Sequence, residues 1–257
     1  MQARTIDFGG VSVPRVGLGT NRLRDTPANR EFLTAAVDAG IGLIDTAHLY
    51  AGGESEAAIG AALAPFAPDL GVATKGAYHP GEGSPDHLRV QLEHSLERLR
   101  TNRIALYYAH RLDPETPLED TFEVLNEYRD AGRIANLGIS EVSVEQIERV
   151  RELAPIAAVQ NEYNLGERMW DEVVDYCAAE GILFVPFYPL HGADGPELQT
   201  IADRYDASPR QVALAWLLRR SPTTLPIPGT LSIDHVRENL AALELELSDD
   251  DYAALSG

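Results

Sequence analysis

The chain has 257 residues, 44% of them hydrophobic, which is enough to bury a sizeable core and too much for a disordered tail. Forty acidic against 21 basic residues leave a formal net charge of −19 at pH 7, a field that repels phosphate backbones and anionic headgroups, so neither nucleic acid nor a membrane surface is an expected partner. One cysteine, Cys177, provides neither an internal disulfide nor a cysteine-zinc cluster, and residues 1–10 lack the pattern of a signal peptide, so a cytoplasmic location is expected.

Residues 5–13 alternate around Gly9-Gly10, a two-glycine hairpin signal expected to close the amino-terminal mouth of the fold. Short β-branched and apolar runs at 13–20, 42–47, 71–75, 104–110, 134–140, 156–163, 182–189 and 224–228 then alternate with longer amphipathic stretches. Ser84 opens a helix over 87–100, in which Leu88, Leu92, Leu96 and Leu99 recur at helical spacing. Ser143, three residues before Gln146, reads as a capping box for a helix through Leu153. The runs at 106–108 and 183–185 are continuously apolar, as expected of strands covered on both faces. Eight β/α units without a linker or low-complexity stretch predict an α/β fold, a closed (β/α)8 TIM barrel in one domain over residues 1–257. A doubly wound dinucleotide fold fails one test: Gly17-Leu18-Gly19 is followed by Arg22 where its third glycine belongs.

The reaction face of such a barrel lies at the carboxyl ends of its strands. There the sequence places Asp45 after the second run with Tyr50 five residues on, Lys75 at the end of the third and His110 at the end of the fourth. Taken singly, each has a plain structural reading: Asp45 as a cap, Tyr50 as a loop aromatic, His110 as a core histidine. Lys75 is the only lysine beside 20 arginines, so a position that needs a compact, tunable ammonium is implied. A free phenol titrates near 10, and a nearby cation held by a carboxylate is expected to make it more acidic. Tyr50, Lys75 and Asp45 are the types for a tuned phenolic acid, and His110 could hydrogen-bond a substrate oxygen.

The segments 44–50 (IDTAHLY), 73–76 (ATKG) and 106–111 (LYYAHR) resemble the aldo/keto reductase signatures around an Asp, Tyr, Lys and His tetrad. The likeness continues through 138–140, 159–164, 226–230 and 237–239, and its second half is similar to pyridoxal reductases. The resemblance implies a barrel that transfers hydride from a nicotinamide coenzyme, NADPH by family habit, to an aldehyde or ketone. Tyr50 would then be the general acid, Lys75 and Asp45 its partners, and His110 the residue that orients the carbonyl. It also implies coenzyme contacts from Thr20 and Asp45, from Ser140 and Gln160 to the carboxamide, and from Phe187 under the ring. Leu190, Pro228, Gly229, Thr230, His235, Glu238 and Asn239 complete that implied set. Asn21, His48, Tyr78, Arg111 and Leu112 are candidate substrate contacts, and no metal is expected. The expected partner is a small carbonyl compound, and the chain is expected to be a monomer or small homo-oligomer.

Two departures from the family pattern stand out. Glu141 follows Ser140 where asparagine is common, and Gly229, Leu231 and His235 occupy places where many members grip the 2′-phosphate with a basic residue. Thr230, Ser232, Arg237 and the helix start at Ser232 are the remaining candidates for that phosphate, and NADH use is an open alternative. Two other functions fit the same residues: a Schiff-base aldolase using Lys75, and a coenzyme-binding regulatory subunit without turnover, similar to potassium-channel β subunits.

Overall fold

The structure, a computed structural model, describes residues 3–8 and 11–257. Strands β1 (Thr5–Phe8) and β2 (Val11–Pro14) pair antiparallel with Ile6 opposite Val13. The Gly9-Gly10 turn that the sequence places between them lies outside the described residues. Ile6 and Val11 pack against the cluster inside the barrel, which includes Val13, Leu43, Leu106 and Leu225. The hairpin therefore covers the amino-terminal end. Its fit is close: a Cβ on Gly42 would lie 2.8 Å from the Pro14 ring.

Seven parallel strands follow in sequential order. They are β3 (Leu18–Gly19), β4 (Leu43–Asp45), β5 (Gly71–Gly76), β6 (Ile104–Ala109), β7 (Ile134–Ser140), β8 (Ile156–Gln160) and β9 (Leu183–Phe184). The intervening helices are α1 (Pro27–Asp38), α2 (Glu54–Leu63), α3 (Pro85–Arg98), α4 (Leu118–Asp130), α5 (Val144–Arg151) and α6 (Asp171–Glu180). After β9 come α7 (Pro196–Arg204), α8 (Pro209–Arg220), α9 (Ile233–Ala241) and α10 (Asp249–Ser256). A second buried cluster, with Leu33, Leu92, Phe122, Val174 and Trp216, fills the layer between sheet and helices.

The last predicted run, 224–228, forms no continuous ladder, and its prolines explain why. Pro226 and Pro228 have no amide to give to β3, so their carbonyls only accept, from Gly17 at 2.9 Å and Gly19 at 3.3 Å. The alternate amides still reach the other neighbour, Leu225 to Phe184 at 2.9 Å and Ile227 to Pro186 at 3.4 Å. Single bridges Phe184–Thr224 and Gly19–Gly229 close the barrel. Gly19 is required there, because a Cβ would stand 2.7 Å from the Ile227 carbonyl. Prolines also shorten the seventh run from 182–189 to β9, beyond which Phe187 makes one bridge to Glu162.

The first predicted run, 13–20, is divided between the hairpin and β3. Arg15 lies at the division, 2% exposed, and its guanidinium donates to the carbonyls of Leu218 (2.9 Å), Ser221 (2.5 Å) and Thr224 (3.1 Å). Ser143 and Gln146 make both bonds of the expected capping box on α5. Ser84 caps α3 only in position, its hydroxyl bonding the Gly81 carbonyl instead. Among the described residues no helix is long and apolar enough to cross a membrane.

Burial pulls the Arg15 pKa down to about 10, still well above neutrality. Arg15→Met keeps most of the volume but strips the donor from four carbonyls, those of Leu218, Ser221, Thr224 and Ala3. It is expected to lower the unfolding free energy by about 3 kcal/mol or more in urea denaturation. An unchanged midpoint would contradict this role.

Candidate active site

Strands β4, β5 and β6 run in register, with Asp45 beside Ala73 and Lys75 beside Tyr108, so their final residues emerge together. Backbone pairing continues past the strand ends, from the His48 amide to the Lys75 carbonyl (2.9 Å) and from His110 to Gly76 (2.7 Å). Lys75 is fully buried. Its Nζ donates to Asp45 Oδ1 at 2.5 Å, to the Thr46 carbonyl at 2.8 Å and to the Tyr50 hydroxyl at 3.4 Å. The second Asp45 oxygen accepts from Gln160 Nε2 at 2.9 Å, which ties β8 to the same centre.

Tyr50 stands at the head of a strained loop. Ala51, Gly52 and Gly53 all adopt positive φ, of 52°, 66° and 97°. Arg98 of α3 pins this loop from outside, donating to the His48 carbonyl (3.2 Å) and to Glu56 (3.3 Å). Glu56 is itself fully buried and accepts from the Thr74 hydroxyl at 2.6 Å. The residue next to Lys75 in β5 thus helps to fix the loop that presents Tyr50.

The electrostatics of the group differ in one respect from the sequence expectation. Burial is the largest influence on Tyr50 and raises its pKa; the Lys75 charge pulls it down without reversing the direction, and Asp45 adds to the rise. The phenol is therefore less acidic than a free one. Lys75 goes the other way from a desolvated amine: burial lowers its pKa, but Asp45 and Tyr50 together outweigh burial and the net shift is upward. An ammonium so held is not the neutral nucleophile a Schiff-base aldolase requires. His110 is pulled down to about 2, by burial first and then by Lys75 and Arg111, so its imidazole is neutral. Its Nδ1 is buried without a hydrogen-bond partner, and its ring sits edge-on to Tyr50 and Tyr78, at 6.2 and 4.8 Å.

Tyr50, His110 and Asp45 line a cavity of about 260 Å³ at the carboxyl mouth, with Lys75 beneath. Tyr78 and Arg111 form part of the same wall, the guanidinium 5.2 Å above the Tyr78 ring. Ser140, Gln160 and Phe187 also face this cavity, as do Asn21, Leu190 and Pro228. Thr20 and Gly229 lie where it opens into an outer trench of about 740 Å³. Thr230, Ser232 and His235 line that trench.

Five sequence candidates fall elsewhere. His48 is stacked on His94 at 5.9 Å and contacts Arg98, behind the cavity, and burial holds its pKa down to about 4. Leu112 lines a separate surface groove beside Asp113 and Arg149. Glu238 accepts a hydrogen bond from Ser208, and Asn239 is buried at 4% exposure, so neither lines the trench. Arg237 pairs with Asp234 at 3.3 Å and is absent from the trench wall as well. Glu141, in the left-handed region at φ 56°, accepts from the Glu162 amide at 2.7 Å. Among the residues outside the sequence candidates that line the trench are two arginines: Arg22, which also reaches the inner cavity, and Arg210. A search of the sequence for arginines next to helix caps would have marked Arg210, two residues past Ser208.

The closed barrel thus carries at its carboxyl mouth a buried ammonium–carboxylate pair beneath a phenol and beside a neutral imidazole. The aldo/keto reductase family model matches residues 15–195 and 193–257. The chain is 37% identical over 275 residues to an uncharacterized oxidoreductase, C215.11c, of Schizosaccharomyces pombe, covering 99% of this chain and 89% of that one. It is 35% identical over 283 residues to pyridoxine 4-dehydrogenase of Escherichia coli, covering 100% and 99%. Among solved structures, an aldo-keto reductase from Klebsiella pneumoniae in complex with NADPH superposes with a TM-score of 0.90 at 28% identity, covering 99% of this chain and 94% of that one. The protein belongs to the aldo/keto reductase family.

The depressed His110 pKa has a consequence for stability. The unfolded histidine takes up a proton below about 6.5, whereas the native one stays neutral to about 2, so the unfolded state binds more protons in between. Stability therefore falls as pH drops through this window, by about 1.4 kcal/mol per pH unit from this group. Urea denaturation at pH 6 and 5 is expected to show a slope shallower by that amount in His110→Asn; equal slopes would contradict a buried neutral His110.

Proposed function

We propose that the chain, working as one barrel domain over residues 1–257, reduces an aldehyde or ketone with NADPH, using Tyr50 as general acid. The observation that carries this reading is the Tyr50 hydroxyl on the cavity wall, 3.4 Å from an ammonium that Asp45 keeps charged. The residues present suit such a coenzyme. Ser140 and Gln160, 1% and 2% exposed, offer a hydroxyl and an amide for a carboxamide, and Phe187 offers a ring face beside them. The trench that continues from the cavity past Thr20, Leu190 and Gly229 suits the rest of an extended dinucleotide. When bound, the coenzyme supplies the hydride.

His110 points a neutral imidazole into the cavity, where one N–H can bond the substrate carbonyl oxygen and fix its direction. As that oxygen gains negative charge it becomes a far stronger base than a phenolate, and the proton moves from the Tyr50 oxygen to it. The raised Tyr50 pKa keeps the phenol protonated until that moment. Lys75 then faces the phenolate as a neighbouring positive charge, and Asp45 keeps the ammonium in place. The two chemical events balance: the carbonyl carbon gains hydride, its oxygen gains the tyrosine proton, and the phenolate recovers a proton from water.

Leu49, Tyr78 and Tyr188 make the mouth of the cavity aromatic and apolar. Since the Escherichia coli relative is a pyridoxine 4-dehydrogenase, pyridoxal belongs in the first substrate panel. The test is absorbance loss of NADPH, and separately NADH, against a panel of aldehydes and ketones. Tyr50→Phe is expected to reduce kcat by roughly 10²–10⁴-fold while leaving coenzyme affinity unchanged. Lys75→Arg is expected to impair turnover as well, since the planar guanidinium cannot take the place of a buried ammonium. Undiminished turnover in the phenylalanine variant would overturn the assignment of the acid, and coenzyme binding without turnover of any carbonyl would favour the regulatory-subunit function.

A further inference from the structure

Carboxylates outnumber cations in this chain almost two to one, and 14 of the 20 arginines have found one. Among the described residues, the arginines without a carboxylate within 4.0 Å are Arg15, Arg22, Arg100, Arg103, Arg111 and Arg210. Arg15 is bound to main-chain carbonyls, and Arg111 lines the inner cavity. Arg100 and Arg103 lie at the opposite end of the barrel, beside Val11 of the hairpin. Arg22 and Arg210 are left, and both line the outer trench, whose only acidic lining residue among those described is Asp194. A polyphosphate approaching a protein of net charge −19 needs local cations, and these two are free to serve.

Their positions along the trench differ. Arg22 lines both the inner cavity and the trench, so it lies near the junction. Arg210 lines only the outer part, at the second residue of α8, in company with Ser232 and His235. The first turn of α8 contains no acidic residue of its own, and the Glu238 carboxylate of α9, which accepts from the hydroxyl of its N-cap Ser208, makes no ion pair with Arg210. The other cation near this end, Arg237, is paired with Asp234. The Thr230 hydroxyl already accepts from the Ser232 amide at 3.0 Å, and Ser232 Oγ from the His235 amide at 3.5 Å; such hydroxyls can assist an anion but cannot neutralise it.

We infer that Arg210 is the residue that selects a phosphorylated over an unphosphorylated dinucleotide, pairing with the 2′-phosphate, while Arg22 holds the diphosphate that both coenzymes share. The inference rests on the coenzyme-dependent reading above and concerns its specificity. Arg210 is exposed, so its replacement removes a charge without opening the core.

Binding of NADPH and NADH to the full chain, followed by the fluorescence of the reduced nicotinamide without any carbonyl present, tests this directly. Arg210→Gln is expected to weaken NADPH roughly 10–100-fold and leave NADH unchanged. Arg22→Gln is expected to weaken both to the same degree. Adenosine 2′,5′-bisphosphate, titrated calorimetrically, should lose affinity for the Arg210 variant while 5′-AMP does not. An NADPH-to-NADH affinity ratio unaltered by Arg210→Gln would overturn the inference, as would equal weakening of both coenzymes. A chain that binds NADPH with this dependence on Arg210 yet reduces no carbonyl would sink the reductase reading and leave the Arg210 assignment standing.

Discussion

The Lys75 ammonium has no contact with solvent, and it persists inside the barrel because Asp45, the Thr46 carbonyl and the Tyr50 hydroxyl take its three protons. Removing two opposite charges from water costs several kcal/mol per ion, and their attraction offsets that cost only when every remaining donor and acceptor is satisfied. The second Asp45 oxygen meets this condition through Gln160, so the pair draws β4, β5, β8 and the Tyr50 loop onto one point. A mispositioned stave would leave a buried charge unpaired. The site is thus also a constraint on the barrel that carries it.

The surrounding electrostatics follow from that centre. Its positive charge contributes to keeping His110 neutral and moderates the rise that burial imposes on Tyr50. A protonated phenol and a neutral imidazole then share a cavity that Lys75 itself does not line. Farther out, most arginines are neutralised by a carboxylate, and of the six that are not, all but the buried Arg15 line concavities.

Much of this was legible in the sequence. Continuous apolar runs ending in Asp45, Lys75 and His110 marked adjacent staves, because strands buried on both faces admit few other residue types. The isolated lysine among arginines pointed to the position that needs an ammonium. The illegible parts were decided by tertiary geometry. Arg15 divides the first stave because its guanidinium serves carbonyls some two hundred residues away, and Pro226 and Pro228 reduce the eighth to single bonds. Net burial, which no motif encodes, raised the phenol pKa where charge alone would lower it. His48 sits within the same signature as Tyr50 yet turns outward onto His94, since a residue two places along a bending loop faces another way. Arg22 and Arg210 gain significance only once the chain folds them into one trench.

Because Lys75 is the sole lysine, the charge state of the centre can be read from one signal. Lysine labelled with ¹³C at Cε and ¹⁵N at Nζ gives a single side-chain resonance in the folded protein, to be followed from neutral to alkaline pH. The account predicts an ammonium shift that persists beyond the ordinary lysine value of 10.5 and is released to lower pH in Asp45→Asn. A resonance that titrates below 10.5 in the unmodified chain, or one indifferent to Asp45, would contradict the buried pair on which the site is built.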